Sequence, residues 1–145
     1  MTPLYTAQAT VTAGRNGHGQ TSDGVIKADF SLPKEMGGEG KAGATNPEQL
    51  FAMGYAACFG GAVAMVARNQ GKKIGAPTVT ANVHIAKDET SFQLAVTLEG
   101  SAEGASASEM QSLMEAAHQV CPYSKATRGN VEVTLKGQEA KAAAA

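Results

Sequence analysis

The most constraining feature of this chain is a run of 18 residues without a charged side chain, Leu50 to Ala67. Residues 46–49 (Asn-Pro-Glu-Gln) form a typical helix start with a capping asparagine, an N-terminal proline and a capping-box glutamine. Gly71 supplies a stop signal, so the pattern predicts one helix to about Asn69. A membrane span needs about 20 strongly apolar residues, whereas this run is rich in Ala and Gly. We therefore expect a helix buried inside protein on all sides.

Alternating apolar residues predict strands on both sides of this helix, and the glycine-rich stretches 12–23 and 33–45 are predicted loops. A capping box at Ser106 opens a second helix that ends near Val120, before Pro122. The predicted strands are Tyr5–Val11, Val25–Leu32, Thr78–Ala86, Phe92–Leu98 and residues 131–135, with a hairpin turn at 87–90. The order β-β-α-β-β-α-β indicates an α+β fold in a single domain, residues 1–145, with residues 138–145 as a frayed alanine-rich tail.

Charge and composition exclude several classes of partner. The chain has 12 basic and 13 acidic residues, a net charge of -1 and no Trp, which gives no reason to expect nucleic acid or an anionic membrane surface. The first ten residues lack the basic start and apolar core of a signal peptide. We therefore expect a cytoplasmic protein, in a reducing compartment where cysteines are more often redox-active than structural.

Two cysteines, Cys58 and Cys121, are the first candidates for chemistry. Each lies in an apolar helical context, where an inert core thiol is a serious alternative and burial would raise the thiol pKa. A reactive Cys58 would need a cation nearby. The two positions are 63 residues apart, so their spacing alone cannot establish that they meet. A zinc site is disfavoured because the three histidines are scattered and no Cys-x-x-Cys occurs; no metal is expected.

Arg15, in a glycine-rich loop, is the candidate cation, although a solvated loop charge is its plainer interpretation. Glu48 either complements the helix dipole or pairs with Arg15 and orients it bidentately. Glu48 and Cys58 are ten residues apart on one helix, about 15 Å along its axis. An Arg15–Glu48 pair that touches Cys58 is easier to build when two such helices pack antiparallel in a two-fold dimer. We therefore expect a site shared between subunits.

Three segments resemble the organic hydroperoxide resistance family, within the broader OsmC-like group. The first runs from Ala44 to Phe59, through Ala44-Thr45-Asn46-Pro47-Glu48-Gln49-Leu50-Phe51 and Gly54-Tyr55-Ala56-Ala57-Cys58-Phe59, and the second from Val120 to Val131. The third and weaker segment comprises residues 14–18 and 22–24, with Asn16 where many relatives have Asp. The similarity covers essentially the whole chain apart from the tail.

The resemblance implies an intertwined homodimer with two active sites at the subunit interface and no cofactor. It implies a peroxidatic cysteine at Cys58 and a resolving cysteine at Cys121, with Arg15 and Glu48 as the family's charged pair. The substrate would be an organic hydroperoxide, and the reductant a dithiol of a lipoylated protein. Residues that could line the apolar substrate pocket, or simply pack in the core, are Phe51, Met53, Tyr55, Phe59, Met110 and Met114.

Other functions fit parts of the same pattern. A general peroxidase would act equally on hydrogen peroxide. A carrier of apolar ligands would use the pocket and ignore the thiols. A dimerisation module would need only the glycine-rich helix, and both its cysteines would tolerate replacement by alanine.

Overall fold

A computed structural model of the chain describes residues 1–141, and their contacts form two compact units, residues 1–50 and residues 51 onward. Together they hold six strands and three α-helices, which confirms the predicted mixed α+β fold. The strands are β1 (Ala9–Thr12), β2 (His18–Thr21), β3 (Lys27–Asp29), β4 (Thr78–Lys87), β5 (Phe92–Ser101) and β6 (Glu132–Gly137); the helices are α1 (Pro47–Asn69), α2 (Ala107–Val120) and α3 (Pro122–Thr127). The assignment of residues 1–145 to a single domain stays a prediction.

The first unit holds an antiparallel sheet in the order β1-β2-β3. Strand β2 falls inside the predicted loop 12–23, so that loop prediction is wrong. Its residues, His-Gly-Gln-Thr, have no apolar alternation. The strand forms because its backbone pairs with a neighbour on each side. Strand β1 ends one residue after its predicted end but begins only at Ala9, while β3 covers the middle of its predicted range.

Helix α1 begins and ends as predicted. The Asn46 side chain accepts the Gln49 N–H at 2.8 Å. Gln49 accepts from the Thr45 hydroxyl instead of completing a capping box. At the other end Gly71 has a φ of 71° and its N–H donates to the Arg68 carbonyl, a conformation that glycine adopts without strain.

Burial of α1 is one-sided in the single chain. Its buried residues include Tyr55, Phe59 and Val63, but Met53 is 71 % exposed. The sequence predicted that every face of α1 would be buried by protein. Composition shows that a helix is apolar, but it does not show what packs against each face. By length and composition α1 could cross a membrane, a test that core helices of soluble proteins also pass.

The second unit is built on a sheet in the order β4-β5-β6. The predicted hairpin is confirmed, and Asp88 stabilises its turn by accepting the N–H groups of Thr90 and Ser91. Strand β6 lies parallel to β5, which requires the crossover through α2 and α3. The inward residues Val96 and Leu98 of β5 are fully or almost fully buried.

Helix α2 closes this core as its apolar stripe predicted. Ser106 caps it by accepting the Glu109 N–H, and Met110, Leu113, Met114 and Ala117 are buried. Helix α3 was not predicted. Its six residues are too few for a periodic pattern, and Pro122 starts a new helix there as well as stopping α2. The predicted tail is described only to Lys141, and Ala142–Ala145 lie outside the described residues.

Candidate functional site

The two cysteines meet within the second unit. The Cys121 thiol donates to the sulfur of Cys58, with 3.5 Å between the two Sγ atoms. Cys58 comes from the middle of α1, and Cys121 is the single residue between α2 and α3. Both are free thiols in this structure. A disulfide needs about 2.05 Å between the sulfurs, so an approach of about 1.5 Å would join them.

The environments of the two sulfurs differ. Cys121 is completely buried, whereas Cys58 is half-buried. Burial raises the pKa of the Cys58 thiol, the adjacent Cys121 adds to that rise, and the backbone N–H of Tyr123 opposes it. Cys58 is therefore the sulfur that a reagent can reach, but among the described residues of the second unit no group outweighs the burial that disfavours its thiolate.

Arg15 and Glu48 form a bidentate ion pair in the first unit. The two guanidinium nitrogens Nη1 and Nη2 donate to Oε2 and Oε1 of Glu48 at 3.0 and 2.8 Å. The hydrogen bonds to Arg15 lower the pKa of Glu48, and those bonds likewise raise the pKa of Arg15. The Glu48 side chain is 14 % exposed. A partly buried carboxylate thus fixes the plane of the guanidinium and is paired with its charge.

The backbone that carries Arg15 is a tight turn between β1 and β2, not an open loop. Ala13 has a φ of 65°, a conformation that costs a non-glycine residue about 1–3 kcal/mol. A Cβ at Gly17 would lie 1.6 Å from the Thr12 carbonyl oxygen, so only glycine fits there. Asn16 accepts the Leu32 N–H at 3.0 Å. The strained turn and this hydrogen bond hold Arg15 at a defined place on the sheet.

The candidate pocket residues have unequal surroundings. Tyr55, Phe59, Met110 and Met114 are completely buried in the core, Phe51 packs edge-on against Tyr55, and Met53 is largely exposed. Their role as a substrate pocket stays a prediction. Tyr123, which the sequence did not single out, packs against Phe51 and Tyr55 and follows Cys121 by two residues.

His18 and His118 lie in different units and have different hydrogen-bond partners. His18 pairs with Asp29 at 2.7 Å on the sheet of the first unit, and His118 contacts Ser124 in the second. Burial lowers the pKa of His118, and the charge of Arg128 lowers it further. Over residues 1–141, no cluster of three or more His, Cys, Asp or Glu side chains is arranged to hold a metal ion.

Known proteins resemble this chain over most of its length. The family model described as "OsmC-like protein" matches residues 38–136. Organic hydroperoxide resistance protein OhrA of Bacillus subtilis is 48 % identical over 94 % of this chain and 98 % of its own length. A protein of Xanthomonas axonopodis pv. citri named organic hydroperoxide resistance protein is 49 % identical, over 91 % of this chain and 93 % of its own.

The fold matches as well. The crystal structure of the organic hydroperoxide resistance protein OhrB of Bacillus subtilis superimposes with a TM-score of 0.84 at 44 % identity. The match covers 95 % of this chain and all of that one. The chain therefore belongs to the OsmC-like family, among its organic hydroperoxide resistance proteins.

Proposed function

We propose that this protein is a cysteine-based peroxidase that reduces alkyl or fatty-acid hydroperoxides to alcohols. The observation that carries the proposal is the pair of sulfurs 3.5 Å apart, one half-buried and one fully buried. A structural thiol pair does not need one exposed and one buried sulfur. A peroxidase does, because peroxide must reach the attacking thiol while the resolving thiol stays protected.

In the first step the Cys58 thiolate attacks the terminal oxygen of the hydroperoxide. The O–O bond breaks, the alkoxide takes a proton and leaves as an alcohol, and Cys58 becomes a sulfenic acid. In the second step the Cys121 sulfur attacks that of Cys58; the S–O bond breaks, hydroxide takes the proton lost by Cys121, and water leaves. The peroxide gains the two electrons that the two thiols lose. A dithiol then reduces the disulfide by exchange.

Arg15 supplies the positive charge that a buried Cys58 thiolate requires. An opposite charge within about 4–6 Å lowers a thiol pKa, and Glu48 orients the guanidinium by two hydrogen bonds. The ten-residue spacing of Glu48 and Cys58 on α1 favours a site shared by the two subunits of an intertwined homodimer. In that arrangement the ion pair of one subunit serves Cys58 of its partner.

The apolar character of the residues around Cys58 favours organic hydroperoxides over hydrogen peroxide. Phe51, Met53 and Tyr55 lie within one or two turns before Cys58 on α1. Phe59, Met110 and Met114 form the deeper apolar wall of the same unit. The reductant is a dithiol, for which a lipoylated protein is the candidate, and the protein acts in the cytoplasm.

The decisive experiment counts thiols before and after one equivalent of cumene hydroperoxide and locates the product by peptide mass. We expect wild type to lose two thiols and gain a Cys58–Cys121 disulfide. Cys58→Ser should lose none. Cys121→Ser should lose one thiol and hold Cys58 as a sulfenic acid, which a second equivalent of peroxide over-oxidises. If wild type forms no peroxide-dependent disulfide, the function is wrong, and a ligand carrier or a dimerisation module becomes the better explanation. Equal rates with hydrogen peroxide would indicate a general peroxidase.

A further inference from the structure

We propose that four hydrogen-bonded side chains, His118, Ser124, Tyr55 and Thr127, position Cys121 for its attack on oxidised Cys58. This hydroxyl network, as we call the four residues, rests on the proposed function, because it serves the resolving step of that reaction. None of the four residues has a part in the peroxide attack proposed above, apart from the place of Tyr55 among the pocket residues.

The network is compact, and three of its four residues are buried while His118 is half-buried. The Ser124 hydroxyl lies 2.8 Å from the Tyr55 hydroxyl and 2.8 Å from Nδ1 of His118. The Tyr55 hydroxyl also lies 3.1 Å from Oγ1 of Thr127, which donates to the Ser124 carbonyl at 3.1 Å. Tyr55 and Ser124 are fully buried and Thr127 is 3 % exposed.

A count of protons gives the network a direction. It has four hydrogen bonds, and each hydroxyl supplies one proton. Thr127 uses its proton on the Ser124 carbonyl, so Tyr55 donates to Thr127, and Ser124 donates to Tyr55. The hydrogen bond between His118 and Ser124 then forms only if Nδ1 of His118 carries a proton and donates it to the Ser124 hydroxyl oxygen. With the proton on Nε2 instead, one buried bond would lack a proton, which is unfavourable.

The residues of the network flank both cysteines in the sequence and connect the helices that carry them. His118 lies three residues before Cys121 and Ser124 three residues after it, while Tyr55 lies three residues before Cys58 on α1. The His118–Ser124 bond ties α2 to α3 across the Cys121 turn, and the Tyr55–Ser124 bond ties that turn to the helix that carries Cys58. Arg128 adds a further tie by donating to the His118 carbonyl at 2.6 Å.

This placement matters because the resolving step competes with a second oxidation. The Cys58 sulfenic acid either loses its oxygen as water when Cys121 attacks, or reacts with a second peroxide to give a sulfinic acid and another alcohol. A fixed Cys121 sulfur favours the first outcome, since small errors in position slow a reaction between neighbouring groups strongly. The network therefore sets the proportion of Cys58 that is resolved.

The test compares two substitutions at the half-buried His118. Asparagine can place its amide N–H near the position of Nδ1, so His118→Asn keeps a donor, whereas His118→Leu has a similar volume and no donor. After excess cumene hydroperoxide, we expect the ratio of Cys58 sulfinic acid to disulfide to rise about tenfold in His118→Leu. His118→Asn should give a ratio close to that of wild type. Tyr55→Phe, which removes the hydroxyl and little volume, should raise the ratio like His118→Leu.

The outcomes separate this inference from the proposed function. A wild-type protein that forms no disulfide overturns both. A wild-type disulfide with the same ratio in His118→Leu and Tyr55→Phe overturns the network alone. So does a ratio that rises equally in His118→Asn and His118→Leu, because packing rather than the donor would then be the cause. Heteronuclear NMR should place the proton of neutral His118 on Nδ1, and a proton on Nε2 would contradict the direction of the network.

Discussion

Cys121 donates its thiol proton to Cys58 across 3.5 Å, yet only Cys58 has a partly exposed surface. The relationship is asymmetric in two respects, hydrogen bonding and access. The buried sulfur is the donor, yet its presence beside Cys58 raises the pKa of the Cys58 thiol. The accessible sulfur is the one whose pKa burial raises. A positive charge close to Cys58 would offset that rise and favour the thiolate.

Limited alkylation of the reduced native protein should modify Cys58 before Cys121. The reason is access, because Cys121 has no exposed surface. The measurement is peptide mass after treatment with one equivalent of iodoacetamide. In denaturant the two cysteines should react at similar rates, which serves as the control. Labelling of Cys121 first in the native protein would contradict the assigned order.

Replacement of Arg15 by alanine should slow peroxide-dependent thiol loss about a hundredfold at pH 7. This factor corresponds to a rise of about two units in the thiol pKa when an adjacent positive charge is removed. The dependence of rate on pH, measured by stopped flow, should move to higher pH. Arg15→Lys keeps the charge without the bidentate geometry, so its rate should lie between those of wild type and Arg15→Ala.

Arg68→Ala, at the exposed end of α1, is the control for that series and should leave the rate unchanged. If Arg15→Ala keeps both the rate and the pH profile of wild type, Arg15 has no part in the reaction.

The Arg15–Glu48 pair should stabilise the protein at neutral pH and not in acid. The hydrogen bonds from Arg15 lower the folded-state pKa of Glu48 below the unfolded value of about 4.3. The stabilisation is therefore present above that value and is lost as pH falls through the folded pKa. Glu48→Gln should cost up to about 1 kcal/mol at pH 7, since Arg15 is partly exposed.

Urea unfolding at a series of pH values measures this difference, which should shrink below about pH 4. Glu39→Gln is the matched control, because Glu39 is exposed and its contact with Lys41 is 3.9 Å long. A Glu48→Gln deficit that stays constant down to acid pH would show that the charge of Glu48 is not its cause.

Gly137→Ala should destabilise the second unit by about 1–3 kcal/mol. A Cβ there would lie 2.4 Å from the Gln111 backbone nitrogen and 2.7 Å from the Ala107 carbonyl oxygen, so α2 would have to move away from β6. The midpoint of urea unfolding measures the loss. Lys136→Ala, on the neighbouring exposed position, should change it little. Equal midpoints for both variants would argue against this packing.

Gly61→Ala should weaken the proposed dimer. Apart from its chain neighbours and the backbone of its own helix, no atom of residues 1–141 lies within 4 Å of a Cβ at this position. Alanine also suits a helix better than glycine by about 1 kcal/mol. If glycine is there to let a second helix approach, the added methyl should raise the dissociation constant measured by sedimentation equilibrium. Asn69→Ala, farther along the helix, is the control. An unchanged dissociation constant would remove Gly61 from the interface.

The elements that sequence predicted well are those with strong local signals. Helix α1 has a capping residue at its start and a glycine stop signal at its end. The β4–β5 hairpin has alternating apolar residues and a turn sequence, and α2 has a capping box at Ser106. Strand β2 and helix α3 lacked such signals. The strand depends on two neighbours for its hydrogen bonds, and the helix is shorter than the period that would reveal it.

The candidate site divides in the same way. Residue types made Cys58, Cys121, Arg15 and Glu48 visible, and a bidentate pair between the last two was among the interpretations. The contact between Cys58 and Cys121 depends on how α1 packs beside α2 and α3, which no local pattern records. Ser124, Thr127 and His118 were missed as a group for the same reason. The available signal was that Tyr55 and His118 each lie on a helix three residues before a cysteine.

Cys121 ends one helix and begins the next, and both of its backbone groups are occupied. Its N–H donates to the Ala117 carbonyl, and its own carbonyl accepts from Lys125. The sulfur can therefore travel only by rotation of its side chain, since any larger displacement would break a helix end. The reduced and oxidised forms should then share one backbone, with the same amide exchange protection in α2. In the proposed reaction, the disulfide would then form and be reduced without any unfolding of the protein.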